Sequence, residues 1–441
     1  MLSGAAMTFF RLLLSALLTL PALWAAQAAD FSGDVAKVRG FLDHDKSYSL
    51  DERAQAEAAF AKLKTTAGDM SPEAFQLAVA HIAALGHNGH TMLVAGVWMF
   101  QFNRIALRFH VFADGMRVVH APDTMRDLIG ARVLSIDGRN ADELRQAFGQ
   151  YFGAREGKRD EWVGFFVESP AMLHAAGLAK AGDRIEAQFE LANGVKSART
   201  LQAALDPPKE ELLNFLDFSR LVTYVGENVA SPDVVPLYLQ GQRRAFAVAP
   251  LPEINALYIQ LRINKSFYEQ SIDDFFASAR ATLKQAKPKN MVVDLRLNGG
   301  GDLNTTRAFL QELPSLLPSD GRIFILTSGR TFSAGIASAG YLKQAAPTRV
   351  TIVGEPIGDH LEFWAEGDFM LLPASKGALL EATERHNYMT GCPEADCHRS
   401  IREHPIRVQS LEPDIAAPLT YADYRAGRDP ALEAVRKALG Q

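Results

Sequence analysis

Cysteine is scarce in this sequence: Cys392 and Cys397 are the only two among 441 residues, with four residues between them. So few cysteines exclude a small fold held together by many disulfides. A zinc site is not expected either, since only His398 lies beside them. In an exported protein the two cysteines should pair and close a small loop, and the alternative is two free thiols.

A large charge of either sign is also missing. There are 46 Lys and Arg residues against 51 Asp and Glu, a net charge of −5 with a pI near 6.1. Because no basic run stands out, charge gives no reason to expect a nucleic-acid partner. With 48% hydrophobic and 22% charged residues the composition is that of a globular protein, and the length suggests two or three domains.

Long hydrophobic runs are absent except at the N-terminus. There Arg11 precedes an apolar run from Leu12 to Trp24, and a small-x-small site follows at Ala26-Gln27-Ala28. This pattern predicts a cleaved signal peptide over residues 1–28, and hence a periplasmic or secreted protein. The run is too short to span a bilayer comfortably, although a retained anchor is the alternative.

The remaining chain changes character three times. Residues 29–100 are predicted to form a helical segment, with helices over Leu50–Lys64, capped by Asp51, and from Ser71 to Leu85. Residues 104–205 alternate short strands and turns, including a hairpin at Asp114-Gly115. Residues 206–244 look like a connection. Residues 245–441 alternate strands and helices, which predicts an α/β domain with a mainly parallel sheet.

Two neighbouring strand–helix units in the last region carry unusual sequence at corresponding ends. The first strand, within Met291–Leu297, ends in a glycine run that includes Gly300 and Gly301. The second, Ile323–Thr327, is followed by Ser333 at the start of a small-residue helix. A hydroxyl beside free backbone N–H groups suits acyl transfer, in which a nucleophile attacks and an anion must be stabilised. The alternatives are a serine that only caps its helix and a glycine run that only turns the chain.

Several motifs in one order resemble the carboxyl-terminal processing (tail-specific) serine peptidases and their tricorn-like relatives. They are GHNGHTML, LIGARVLSIDG, VVDLRLNGGG, TSGRTFSAG, VGEPIG and LEPDIAAPLTYADYRAGRDPAL. The resemblance implies a helical N-terminal segment, a PDZ-like β-rich module over 104–205 and a ClpP/crotonase-like α/β core over 245–441. It also implies a peptide or protein substrate, cleavage through a serine and no cofactor. For the module, a structural insert without a ligand is the alternative.

The resemblance assigns the nucleophile and the groups around it. Ser333 matches the family's serine, and the N–H groups of Gly300, Gly301 and Ala334 would form the oxyanion hole. Ser328 and Ser338 are expected to be structural. Asp294 and Arg296, in the strand before the glycine run, are expected to be buried packing residues or an ion pair.

The general base departs from the tail-specific branch. In that branch the base is a lysine after the glutamate–glycine motif, but this sequence has Asp359 at that position. Lys343 lies too far along the helix that follows Ser333 to face the serine hydroxyl. The tricorn-like branch uses a histidine in a glycine–histidine–threonine motif, which His90 matches, and imidazole is a suitable base near neutral pH. A structural role for His90 and a base at His360 are the alternatives. His81, His87 and His90 do not have the spacing of a catalytic zinc motif.

The third catalytic member is the least defined. Where related Ser–His enzymes place a glutamate, before the proline–aspartate motif, this sequence has Arg407. Glu403 and Glu412 are the nearest candidates to orient the histidine. The missing lysine and the undefined acid also leave open a non-catalytic protein of the same fold that binds peptides or lipophilic molecules.

Overall fold

The computed structural model describes residues 30–204, 233–241 and 244–441. The predicted signal peptide and most of the predicted connection lie outside the described residues. Within those three ranges, no helix is long and apolar enough to cross a membrane.

The helices and strands of the described residues are numbered here in chain order. The helices are α1 Ser32–His44, α2 Leu50–Thr66, α3 Pro72–Ala84, α4 Trp98–Gln101, α5 Ala141–Phe148, α6 Glu156–Trp162, α7 Gly164–Val167, α8 Pro170–Ala175, α9 Ile272–Ala286, α10 Leu303–Glu312, α11 Ala334–Ala345, α12 Arg399–Glu403, α13 Tyr421–Arg425 and α14 Pro430–Ala438. The strands are β1 Met92–Leu93, β2 Arg104–Ile105, β3 Arg108–Phe112, β4 Gly115–His120, β5 Arg132–Ile136, β6 Arg184–Glu190, β7 Lys196–Ala204, β8 Phe246–Leu251, β9 Ala256–Leu261, β10 Asn290–Asp294, β11 Ile323–Thr327, β12 Val350–Gly354, β13 Glu362–Leu371, β14 Ala378–Asn387 and β15 Ile415–Ala416.

The C-terminal half is built on a six-stranded sheet in the order β15-β12-β11-β10-β9-β8. All neighbours run parallel except β8, which is antiparallel to β9. Every residue of β9, β10 and β11 is buried, which explains their continuous apolar sequences, because a parallel sheet is covered on both faces. The predicted mainly parallel α/β domain is therefore confirmed, and its β10 and β11 end next to each other at the same edge.

A second six-stranded sheet, in the order β2-β7-β6-β5-β4-β3, is antiparallel throughout. The predicted hairpin joins β3 to β4, and Gly115 in its turn has a φ of 119°, which suits glycine. One hydrophobic cluster contains buried residues of the N-terminal helices from Phe31 on, of this sheet as far as Leu201, and Leu379 in β14, so these helices and this sheet share buried side chains.

A third sheet, in the order β1-β14-β13, was not predicted from the sequence. Its short strand β1 pairs with β14 through Met92 opposite Leu380 and Leu93 opposite Leu379. The pairing brings the N-terminal segment, including His90, against the C-terminal half of the chain.

Local details agree with the predictions, with one exception. Ser71 caps α3 as predicted, but the cap of α2 is Ser49, whose side chain forms a reciprocal capping box with Glu52. Asp51 is therefore not the cap, because the preceding serine has the extended backbone that capping requires. Cys392 and Cys397 form the predicted disulfide, with their Cα atoms 5.7 Å apart.

Candidate active site

Ser333 lies between the loop after β11 and the first residue of α11. Its backbone has φ 53° and ψ −128°, a region that residues with a side chain rarely occupy. Holding it there costs about 1–3 kcal/mol, which the surrounding structure must supply. Its side chain accepts no hydrogen bond from the helix it precedes, so it does not act as an N-cap. The strained backbone therefore presents the hydroxyl without using it for capping.

The glycine loop after β10 packs directly against this serine. Gly300 and Gly301 have φ values of 113° and 131°. A Cβ atom at Gly300 would lie 2.7 Å from the Cβ and 3.2 Å from the Oγ of Ser333. One at Gly301 would lie 3.0 Å from the backbone of Asn264. Both positions therefore require glycine for conformation and for space.

The three N–H groups predicted to form an oxyanion hole are not equivalent. The N–H of Gly300 donates to Oδ1 of Asn298 at 3.0 Å, so it is already occupied. The N–H groups of Gly301 and Ala334 have no hydrogen-bond acceptor among the described residues. These two remain available for an anion beside Ser333.

Two buried asparagines, which sequence reasoning missed, join the glycine loop to the start of α11. The side chain of Asn298 donates to Oδ1 of Asn264 at 2.8 Å. Asn264 in turn donates to the carbonyl of Ala334 at 2.7 Å, and its N–H donates to the carbonyl of Gly300 at 2.8 Å. Asn298 stands inside the glycine motif, so the sequence could have indicated its role in the site. Nothing in the sequence around Asn264 indicates such a role.

His90 is 8% exposed and lies between two phenylalanine rings. Its ring centroid is 4.3 Å from that of Phe332 and 5.1 Å from that of Phe363, with both pairs nearly parallel. Since Phe332 is the residue before Ser333, the stack places the imidazole beside the serine's own segment. The ring nitrogens of His90 have no aligned hydrogen bond to any described residue.

The carboxylate against His90 is that of Asp359. Its Oδ2 lies 3.4 Å from Nδ1 of the imidazole, which is ion-pair contact but not an aligned hydrogen bond. Asp359 is 1% exposed, and its Oδ1 accepts the N–H of His360 at 2.9 Å. A Cβ at Gly89 would lie 2.8 Å from Oδ2 of Asp359, so the glycine before the histidine allows this approach. From the sequence, Asp359 showed only that the lysine of the tail-specific peptidases is missing. It was not predicted to contact His90.

The two glutamates predicted as third members have other partners. Glu403 pairs with Arg399 at 2.7 Å within α12, and Glu412 pairs with Arg155 at 2.8 Å. Among the described residues, the acidic side chain in ion-pair contact with His90 is Asp359. It replaces both glutamates in the proposal made below.

The other residues considered from the sequence either form hydrogen bonds or ion pairs within the fold or, in the case of His360, are exposed. Lys343 donates to the carbonyl of Val350 at 2.9 Å, and His360 is exposed. Ser328 donates to the carbonyl of Arg296, and Ser338 to that of Ala334, so both serines are structural as predicted. The predicted ion pair is also present: Arg296 bridges Asp294 and Asp429 in the interior.

A buried ionic cluster supports the far side of Phe332. The ammonium of Lys158 lies 4.7 Å from the centre of that ring and 2.9 Å from Glu161, which also binds Arg330 in the loop before Ser333. Burial lowers the pKa of Lys158. Burial also opposes the ionisation of Glu161, but the attraction of Arg330 and Lys158 outweighs it and lowers the pKa of that carboxyl. Helix α6 is thereby tied to the serine loop.

A cavity of about 480 Å³ borders the same loop. It is lined by β3, by α6, by Ser328–Arg330 and by the segment after β12, but not by Ser333 or His90. The groups able to do acyl-transfer chemistry, on Ser333 and His90, therefore lie outside its lining.

The solved structures of other proteins show which fold this is. Neither the models of known protein families nor the curated proteins match this sequence. Mature CPAF complexed with lactacystin is similar with a TM-score of 0.59 and 12% identity, over 93% of this chain and 98% of that chain. A serine-to-alanine mutant of CPAF gives 0.58 and 14%, over 92% and 96%.

At these identities the similarity establishes the fold, which this chain shares with CPAF over nearly its whole length. The photosystem II D1 C-terminal processing protease covers 93% of this chain at 14% identity, but its TM-score of 0.37 is too low to support an argument. The resemblance inferred from the motifs is thus confirmed at the level of the fold.

Proposed function

We propose that this protein is a serine-type endopeptidase in which Ser333, His90 and Asp359 act as nucleophile, base and orienting acid. The observation that carries the proposal is the strained Ser333, packed on Gly300 and preceded by the Phe332 ring that stacks on a buried histidine. Serines held in a costly conformation without a capping role are found mainly at functional sites, which supports Ser333 as the nucleophile.

In this mechanism His90 removes the proton from Oγ of Ser333 while that oxygen attacks a peptide carbonyl carbon. The carbonyl electron pair moves onto oxygen, and the N–H groups of Gly301 and Ala334 donate to the resulting anion. His90 then passes its proton to the leaving amine as the C–N bond breaks. Water, deprotonated by the same imidazole, hydrolyses the acyl-enzyme and restores Ser333.

Asp359 has two tasks in this scheme. Its carboxylate faces Nδ1 of His90, so it favours the tautomer in which Nδ1 carries the hydrogen and Nε2 is free to accept one. It also stabilises the imidazolium that forms during attack. The long 3.4 Å contact is compatible with this role, because catalytic hydrogen bonds often tighten only when substrate binds.

The substrate we propose is an unfolded or C-terminal peptide segment. The sheet of residues 104–205 would act as a PDZ-like module, and its strand β3 also lines the 480 Å³ cavity next to the serine loop. PDZ-like modules hold an extended peptide by β-augmentation. The core of residues 245–441 would be the ClpP/crotonase-like catalytic domain.

We also propose that the protein is exported, with residues 1–28 removed. The disulfide supports this proposal, because disulfides persist in oxidising compartments. Intact-mass measurement of the native protein tests it: a mature chain beginning near Ala29 is expected, and a full-length chain would contradict it.

The decisive experiment is labelling with a fluorophosphonate probe, which reacts with activated serines. The wild-type protein should be labelled at Ser333 and should hydrolyse an unstructured peptide, whereas Ser333→Ala should do neither. His90→Ala should lose hydrolysis nearly as completely, and the double variant should be scarcely worse, because the two residues act together. His360→Ala, at an exposed neighbouring histidine, is the matched control and should stay near the wild-type rate.

The rival is a non-catalytic protein that binds peptides or lipophilic molecules on the same fold. It predicts no labelling of Ser333 and no hydrolysis that depends on Ser333. If His90→Ala retained activity while His360→Ala lost it, the protein would be an enzyme but the base would be wrongly assigned.

A further inference from the structure

Three side chains on and after the hairpin β13–β14 bring metal-ligand atoms together outside the proposed catalytic site. Glu366 lies on β13, His386 on β14, and His398 directly before α12. One ligand atom from each of them lies within 4.8 Å of the other two. They come from three separate segments, so the fold and not the sequence assembles the group.

His386 is the most informative member because it is buried and incompletely paired. It is 2% exposed, and its Nε2 has no aligned hydrogen bond to any described residue. The nearest carboxylate oxygen is Oε1 of Glu366, at 3.5 Å. Its other nitrogen, Nδ1, lies 3.2 Å from the hydroxyl of Tyr388. A histidine held by a hydrogen bond at one nitrogen, with the other facing a carboxylate, has the arrangement of a metal ligand.

His398 completes the group from the surface side. Its ring stacks on that of His386 with centroids 5.1 Å apart, and its side chain is 17% exposed. The backbone beneath it is anchored, since Cys397 belongs to the disulfide and the N–H of His398 donates to the carbonyl of Arg385. The backbone that carries the ring is therefore held in place, and the ring itself is partly exposed.

We propose that Glu366, His386 and His398 bind a divalent transition-metal ion, with zinc as the best fit and one position open to water. Two imidazoles and a carboxylate are a ligand set that zinc accepts with an open fourth position. Ligands about 2.1 Å from a tetrahedral ion lie roughly 3.4 Å from one another. Nε2 of His386 and Oε1 of Glu366 are already 3.5 Å apart, so binding requires mainly that the His398 ring moves toward these two atoms.

The site lies at the outer end of a continuous row of rings. Phe363 is stacked between His386, at 4.9 Å, and His90, at 5.1 Å. An ion that fixes His386 would therefore stiffen the packing under His90. Binding itself does not depend on the proposed peptidase activity, because it needs neither Ser333 nor a substrate.

The test is a Zn²⁺ titration of the metal-free, disulfide-intact mature chain in competition with a chromophoric chelator. We expect one zinc per chain, and an affinity at least about tenfold weaker in both His398→Ala and Glu366→Gln, since loss of a ligand costs no less than loss of its support. His44→Ala, at an exposed histidine on α1, should bind as the wild type does.

A second measurement is the thermal midpoint with and without Zn²⁺. It should rise in the wild type and in His44→Ala, but not in His398→Ala, because ligands stabilise only the state that binds them. His398 is on the surface side, so this variant should fold. Absence of zinc binding to the wild type, or equal binding by His398→Ala, would overturn the proposal and leave Glu366 and His386 as an ordinary ion pair. Loss of peptide hydrolysis in Ser333→Ala, with zinc binding retained, would separate this site from the catalytic one.

Discussion

Oδ2 of Asp359 lies 3.4 Å from Nδ1 of His90, although 268 residues separate the two in the sequence. Gly89 permits the contact, because any side chain there would collide with that carboxylate oxygen. In the proposed mechanism this contact is what orients His90 as the base.

Asp359→Asn should lower kcat by about 10²–10⁴, because the amide preserves the shape but not the charge that orients the imidazole. KM should change little, since Asp359 is buried and is not expected to touch the substrate. The measurement is the hydrolysis rate and its pH profile. Glu403→Gln and Glu412→Gln are the controls. Those two should remain within about twofold of wild type, because their carboxylates pair with arginines elsewhere. A larger loss of hydrolysis rate in either control variant would mean that its glutamate belongs to the catalytic site after all.

Gly300→Ala should abolish hydrolysis, because its Cβ would lie 2.7 Å from that of Ser333 and its φ of 113° disfavours a side chain. Gly299→Ala is the matched control in the same loop, since a Cβ there meets nothing within 4 Å and its φ is ordinary. Hydrolysis rates and circular dichroism of both variants measure the contrast. Equal rates in the two would mean that the loop does not need to touch the serine.

Ser333→Gly should be as stable as Ser333→Ala or more stable, by up to about 1 kcal/mol, although neither should have activity. Glycine relieves the strain of φ 53°, and this offsets its larger chain entropy in the unfolded state. Urea unfolding compares the two. As a control, Ser338→Gly should be destabilising by at least about 1 kcal/mol relative to Ser338→Ala, because residue 338 has ordinary helical geometry inside α11.

Acid should weaken the contact between α6 and the serine loop through Glu161. Its folded-state pKa is lowered from 4.5, so the stability it provides is present above that value and is lost as pH falls through the folded-state pKa. Unfolding by urea at pH 7 and again below pH 4.5 should show a smaller loss for Glu161→Gln than for wild type. At pH 7 this variant should itself be about 3 kcal/mol less stable, because Lys158 and Arg330 lose their counter-charge.

The control for this prediction is Glu156→Gln on the same helix. Glu156 pairs with Arg145 but its side chain is 70% exposed, so its substitution should change stability by less than about 1 kcal/mol at either pH. If wild type and Glu161→Gln lost stability in parallel on acidification, the charge on Glu161 would not be what ties α6 to the loop.

The parts of the fold that were predictable are those determined by local patterns. The buried strand around Met291, the capped helix after Ser71 and the hairpin at Asp114-Gly115 are each specified by a few neighbouring residues. The cap of α2 was assigned wrongly, because Ser49 and Asp51 both suit capping and only the extended backbone at Ser49 decides between them. The disulfide was predictable from spacing and the expected compartment together.

Only the residues of the candidate site that stand in recognisable motifs could be predicted from the sequence. Ser333 and the glycine loop stand in recognisable sequence, but the use of the Gly300 N–H by Asn298 depends on a side-chain rotamer. The partner of His90 could not be read from the sequence, because it depends on the two-residue pairing of β1 with β14 and on the loop after β12. Such long-range pairings leave no local periodicity.

The pairing of β1 with β14 also has a consequence for the timing of activity. In the proposed mechanism the segment just before β1 supplies the base, and a segment synthesised some 240 residues later supplies the hydroxyl, so neither end of the chain has a complete reactive pair. If the protein is the peptidase proposed above, a nascent polypeptide should therefore stay inactive until its C-terminal half has packed onto its N-terminal segment.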